Sequence, residues 1–209
     1  MAGRASAQAA LETRRSVLGA AAELASMEGL DSVTIGRLAD RLGMSKAGVI
    51  GQFGSKERLQ LETVDLVAMD ARARVWESVR HLDAGLPRLL ALCASWVRYA
   101  ADPGYPGGCL LTQVTYDYDG RDGAVHDRIA AVRTRWRDIV RRDIETAVAA
   151  GDLPPETDPP QVVFGLESLA VGITPARLLH GDSRTEDWAL RGMYAILGVK
   201  NPAALPGRE

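Results

Sequence analysis

Between residues 33 and 61 the chain reads VTIGRLADRLGMSKAGVIGQFGSKERLQL, and it places a capping hydroxyl at Thr34, at Ser45 and at Ser55. Three helix starts within about 22 residues leave room only for two short helices, a tight turn, and the opening of a third. Ile35, Leu38, Ala39 and Leu42 recur at helical spacing and give the first helix one apolar face, which Gly43 ends. In the second, Val49 and Phe53 stand four apart and turn back toward the first, while the opposite face stays open. Gly54 ends that helix, and Ser55 with Glu57 starts the next by putting a hydroxyl and an acid at its positive end. This is the layout of a helix-turn-helix, a unit too small to bury its own core.

With the preceding TRRSVLGAAAELASMEGLDSVT, the stretch resembles the N-terminal domain of the TetR-type bacterial transcriptional regulators. Four segments carry the resemblance: Glu28-Gly29-Leu30, Thr34-Ile35 followed by Leu38-Ala39, Gly43-Met44-Ser45-Lys46, and Phe53-Gly54-Ser55-Lys56-Glu57. It covers roughly Leu11 to Leu61, under a third of the chain. The resemblance implies a homodimer that binds a palindromic DNA operator and answers to a small molecule. Residues 45–52 then enter the major groove, and the dimer spaces two such helices by one or more turns of DNA, roughly 34–36 Å each. Thr34 and Ser55, at helix N-termini, are expected at phosphates with Lys46 and Lys56 adding charge. Ser45, Lys46 and Gln52 are the expected base readers, Gln52 pairing with adenine and Ala47 touching a thymine methyl. Ile50 and Gly51 depart from the family, which commonly has an aromatic and then a histidine here, so a phosphate contact is missing. Gly48 and Gly51 each cost a helix up to about 1 kcal/mol relative to Ala, which predicts a recognition helix loosely ordered until DNA is bound.

The rest of the chain reads as helices without a strand pattern, so the expected fold class is all-α: a three-helix DNA-binding domain and a larger helical ligand-binding and dimerisation domain. The expected boundaries are a disordered tail at 1–10, the helix-turn-helix domain at 11–58, the larger domain at 59–198, and a frayed tail at 199–209. Lys and Arg outnumber Asp and Glu by eight to six in residues 1–60, and are outnumbered by seventeen to twenty-one in the remainder. That asymmetry is too small to mark a nucleic-acid surface without the motif. No apolar run is long enough to span a membrane and the N-terminus has no signal-peptide core, which predicts a cytoplasmic protein with no membrane partner. Cys93 and Cys109 form no Cys-x-x-Cys and the three histidines stand apart, so neither a metal site nor a cofactor is expected, and inert buried thiols outweigh a redox sensor.

A helix is expected from Ser55 to about His81, unbroken by proline, linking the two domains. Helices follow at about 86–101, 108–118 and 125–150. The arginines of the last interleave with Asp127, Asp138, Asp143 and Glu145, which reads as a solvated surface rather than a second nucleic-acid face. Asp158, Pro159 and Gln161 resemble a capping box for a helix to His180 that is apolar on nearly every face and therefore needs burial on two sides. Ser183 and Glu186 form a second such box for the final helix.

Trp96, Tyr105, Cys109, Gln113, Tyr116, Trp136 and Phe164 are the candidate contacts for an apolar effector with a planar portion, though each is more often core. Gly165, Leu169, Gly172, Leu190 and Tyr194 are the candidate dimer contacts, on two helices that the resemblance places in a four-helix bundle with their mates. A nucleophile elbow, HExxH and a phosphate loop are all missing, so catalysis is not expected. The alternative is a dimeric small-molecule-binding protein of the same fold with weak or lost operator binding.

Overall fold

A computed structural model describes residues 2–199, with side chains from residue 8 onward. The described residues form nine α-helices and no strand: α1 (Ala2–Glu28), α2 (Ile35–Leu42), α3 (Lys46–Phe53), α4 (Lys56–Ala71), α5 (Leu86–Ala101), α6 (Leu110–Tyr118), α7 (Ala124–Ala150), α8 (Pro159–Leu178) and α9 (Thr185–Ile196). The fold class is all-α, as expected. Residues 2–10, read as a disordered tail, instead continue α1, which their alanine-rich sequence favours. The frayed end expected at 199–209 lies, past Val199, outside the described residues.

The chain divides into two compact units. The first holds residues up to 70 together with 104–132, and so includes α6 and the start of α7 as well as the helix-turn-helix. Its core is Val17, Ala21, Leu24 and Ala25 of α1, Leu38 and Ala39 of α2, Val49 and Phe53 of α3, Leu59 of α4, and Leu110 and Val114 of α6. The reason α6 joins is visible at Gly107, where an added Cβ would lie 1.7 Å from the carbonyl oxygen of Ser26. Only a glycine lets the loop before α6 lie on the end of α1, and its N–H donates to Ser26 Oγ at 3.1 Å. Three helices alone bury little, and the fourth contact surface completes the core.

The second unit holds residues 71–103 and 133 onward. Here α5, α8 and α9 pack together through Leu89, Leu92, Cys93, Leu166, Ile173 and Met193. The single helix expected from Ser55 to His81 is divided. α4 ends at Ala71, and Arg72–Trp76 form a π-helical turn in which the N–H of Glu77 donates to the carbonyl of Arg72 at 3.1 Å. This wider turn sits where the first unit gives way to the second. Asp158 occupies the N-cap position of α8 without a side-chain capping bond, since Pro159 and Pro160 remove the first two N–H donors. The capping box expected at Ser183 also differs: α9 starts at Thr185, whose hydroxyl donates to the Asp182 carbonyl, and Glu186 pairs with Arg177 at 2.5 Å.

The acids of α7 are not all solvated. Asp143 is fully buried and receives both Nη2 (2.6 Å) and Nε (2.9 Å) of Arg88, with the Gly85 N–H at 3.4 Å. Its partner arginine lies over the Trp76 ring. The expected surface acid is a buried anchor between α5 and α7.

Candidate functional site

Each end of α2 and α3 is fixed by a specific contact. Thr34 Oγ1 accepts from the Arg37 N–H at 3.3 Å, and Ser45 Oγ accepts from the Gly48 N–H at 3.0 Å. Between them Gly43 adopts φ 64° and lets the Met44 N–H reach back to the Ala39 carbonyl at 2.9 Å, closing α2 and opening the turn. At the far end of α3 the Gly54 N–H bonds the Ile50 carbonyl at 2.7 Å. Arg14 of α1 then donates Nη1 to the Gln52 backbone carbonyl and Nη2 to both carboxylate oxygens of Glu62 of α4, and stacks over the Phe53 ring at 4.4 Å. One guanidinium therefore ties α1, the negative end of α3, and α4 together. Capped at both ends and buried through Val49 and Phe53, α3 is helical despite the propensity cost of its two glycines. Tertiary contacts override a propensity deficit of that size.

The open face of α3 carries Lys46, Ala47, Ile50 and Gly51, all exposed. Ile50 is 47 % exposed although it sits mid-helix. Lys46 runs beside α2, its Cε 3.4 Å from where a Cβ on Gly36 would stand. Gln52 is half-buried, with its carbonyl engaged by Arg14. Ser55 Oγ accepts from the Arg58 N–H at 3.1 Å, so its hydroxyl is an N-cap for α4. Lys56, expected at phosphate, donates its ammonium to the Asp31 carbonyl at 2.9 Å.

Asp31 gathers further contacts that the sequence did not signal. Tyr118 at the end of α6 donates its hydroxyl to Oδ1 at 2.9 Å, and Arg121 donates to Oδ2 at 2.5 Å while lying over the Tyr118 ring. These donors hold the Asp31 carboxyl below its usual range, Arg121 contributing most. Burial, with Asp31 beside it, pushes the Tyr118 phenol up to about 12. Gln60 adds a bond to the Leu30 carbonyl at 3.1 Å, so the segment leading into α2 is held from both α4 and α6.

The seven candidate effector residues do not fall in one unit. Tyr105, Cys109, Gln113 and Tyr116 belong to the first, where Tyr116 is 63 % exposed, and Gln113 donates to the Gly107 carbonyl at 2.9 Å. Trp96, Trp136 and Phe164 belong to the second. Trp96 and Trp136 meet edge to face, with ring centroids 5.0 Å apart. Trp136 Nε1 is buried without a hydrogen-bond partner, and the buried Glu167 carboxylate is ion-paired with Arg133 at 3.1 Å and Arg137 at 3.4 Å. Burial raises the Glu167 carboxyl against the pull of those two arginines. Cys93 is buried, which pushes its thiol up to about 12, and Cys109 is buried as well. No group of His, Cys, Asp and Glu able to hold a metal occurs among the described residues.

Of the dimer candidates, Tyr194 is a core residue, its hydroxyl donating to the Leu90 carbonyl at 3.3 Å. Gly165 serves contact within the subunit, since a Cβ there would meet Ile196 at 3.0 Å, whereas Gly172 opens onto free space. Leu169 lies against Gly192 of α9, and Leu190 is half-buried. Phe164, an expected effector contact, is 67 % exposed on α8 and lines a groove of about 520 Å³ with Ile196, Leu197, Leu153 and Pro154.

Comparison with known proteins fits this geometry. A family model described as bacterial regulatory proteins of the tetR family matches residues 17–63, and one described as a tetracyclin repressor-like C-terminal domain matches residues 85–193, just over half of the chain. The chain belongs to the TetR family. Among solved structures, this TetR-family chain is similar to a TetR transcriptional regulator from Chloroflexus aurantiacus at 24 % identity and TM-score 0.81, covering 91 % of this chain and 96 % of that one. A TetR-family regulator from Cytophaga hutchinsonii matches at 17 % identity and TM-score 0.76, over 90 % and 94 % of the two chains. AibR in complex with isovaleryl coenzyme A and operator DNA matches at 19 % identity and TM-score 0.73, over 89 % and 98 %. At these identities the structural likeness carries the fold. No curated protein matches the chain at a significant level. Its family is one of DNA-binding transcription regulators, and no helix among the described residues is long and apolar enough to cross a membrane.

Proposed function

We propose that this TetR-family chain is a ligand-responsive transcriptional regulator, acting as a repressor, that binds a palindromic operator as a homodimer through residues 45–52. The observation that carries the reading is α3, fixed at both ends and from behind yet bearing four adjacent exposed residues on its open face. A helix braced that way presents its open face to a major groove. Phosphate anchoring rests on the N-termini of α2 and α4, on Lys46, and on Lys56, whose ammonium also donates to the Asp31 carbonyl. The homodimer reading is supported by the outer face of α8 and α9, where Phe164, Gly172, Trp188 and Ile196 are exposed in one chain. The effector reading is supported by the Trp96–Trp136 pair, which suits a mostly apolar ligand with a planar portion.

The few hydrogen-bonding groups on α3 favour one second reading, a dimeric small-molecule-binding protein of the same fold with weak operator binding. Selection of bound sequences from a random duplex pool, with the purified protein at physiological salt, separates the two. A palindrome with half-sites a helical turn or so apart is the expected result, with affinity that falls steeply as salt rises. A folded dimer that enriches no sequence, with or without candidate effectors, overturns operator binding.

A further inference from the structure

The centre of the α3 face has no hydrogen-bonding side chain. Ala47 and Ile50 stand three apart on one side of the helix, and Gly51 beside them contributes nothing beyond backbone, with no atom within 4 Å of where its Cβ would be. The polar groups stand at the rim of this face rather than at its centre. Ser45 Oγ accepts the Gly48 N–H at the start of α3, Gln52 is half-buried at its end, Lys46 runs beside α2, and the Lys56 ammonium donates to the Asp31 carbonyl. What the centre of the face offers a groove is methyl and methylene surface, above all Ile50 at 47 % exposure. Only one apolar group is displayed on the base edges of a major groove, the 5-methyl of thymine.

We propose that this protein reads its operator chiefly by packing Ile50 and Ala47 against thymine 5-methyl groups, with Gly51 allowing the helix backbone to approach closely. Ile50 is the principal specificity-determining residue, and each half-site carries at least one thymine opposite it. The proposal rests on the operator-binding reading above and adds the chemistry of the readout. A single isolated exposed isoleucine is ordinary on a protein surface. This one sits at the middle of the helix that enters the groove, flanked by residues that leave it the foremost side chain.

The test uses the full-length protein and the operator recovered from the duplex selection. Each half-site thymine is replaced in turn by uracil, which removes the 5-methyl and keeps every hydrogen-bonding group, and affinity is measured at fixed salt. At the thymine facing Ile50 the loss should be about fourfold per methyl, the size of one buried methylene-scale contact. The Ile50→Ala protein should bind the thymine operator more weakly and lose most of its preference over uracil there, and Ile50→Val should lie between. Ile50 is exposed, so both variants should melt like the parent. The uracil series does not depend on either. Selective binding that is unchanged by every uracil substitution overturns the proposal while leaving operator binding intact. A uracil effect that persists undiminished in Ile50→Ala and Ile50→Val also overturns it. The absence of selective binding to any duplex overturns this readout together with the reading it rests on.

Discussion

Asp143 shows how a single side chain escapes a pattern-based reading. In the sequence it alternates with arginines as a solvated acid would, yet it is fully buried and holds Arg88 in a bidentate pair. Which face of α7 a charge occupies depends on a partner 55 residues away, and spacing along one helix does not encode it. Replacing Asp143 by Ala leaves the Arg88 guanidinium partly buried without its counter-charge, and should lower stability by about 3–5 kcal/mol in denaturant unfolding. The double change Arg88→Met with Asp143→Leu should recover most of that loss. Asp31 makes a prediction with a pH sign. Its folded-state carboxyl is held below the ordinary 3.8 by Arg121 and Tyr118, so its contribution to stability is present above that value and fades as pH falls through the lowered one. Asp31→Asn should therefore be less stable than the parent at pH 7, with the gap in unfolding midpoint closing toward pH 3. Because Asp31 is largely exposed, the effect should be small and weaker at high salt.

Among the elements, α2 and α3 were legible residue by residue, because capping and turn chemistry are local: Thr34, Ser45, Gly43 and Gly54 do what their residue types suggest. The bracing of α3 was not legible. Its glycines argue for a weak helix, and only the approach of Arg14 from α1 and the burial of Val49 and Phe53 supply the bracing. The break in the long fourth helix was hidden for a related reason. No proline or glycine marks residues 72–76, and a π-helical turn needs neither. The placement of α6 depends on Gly107, where an added Cβ would lie far inside van der Waals contact distance of the Ser26 carbonyl. Gly107→Ala should force the loop off the end of α1 and cost several kcal/mol in thermal or denaturant unfolding, with the largest loss of hydrogen-exchange protection in α1 and α6. A Gly51→Ala control, at a position with open space, should be neutral or slightly stabilising.

For the whole molecule, the homodimer proposal predicts that the outer face of α8 and α9 is covered in solution. Phe164→Glu places a charge on that face and should shift the protein toward monomer in sedimentation or light scattering, while α1 to α3 keep their helicity. Substitution of Tyr194 should act differently: Tyr194→Phe removes a core hydrogen bond to Leu90 and should reduce stability by about 1 kcal/mol without changing the mass of the assembly. Candidates for the interface drawn from sequence mixed both kinds of residue. The periodicity of α8 is apolar on nearly all sides, so it does not distinguish the side packed within the subunit from the side left open.

The sequence by itself determined the all-α class, the two capped helices and their turn, and the family, because these rest on residues that interact within a few positions of one another. Tertiary structure alone decided that α6 belongs with the helix-turn-helix unit, that Asp143 is an internal anchor, that Lys56 reaches the Asp31 backbone carbonyl, and that Ile50 is left exposed on α3. Each of those outcomes follows from which surfaces meet across long stretches of chain. Local propensities amount to tenths of a kcal/mol per residue, and the burial and pairing that settle such contacts are worth several times more.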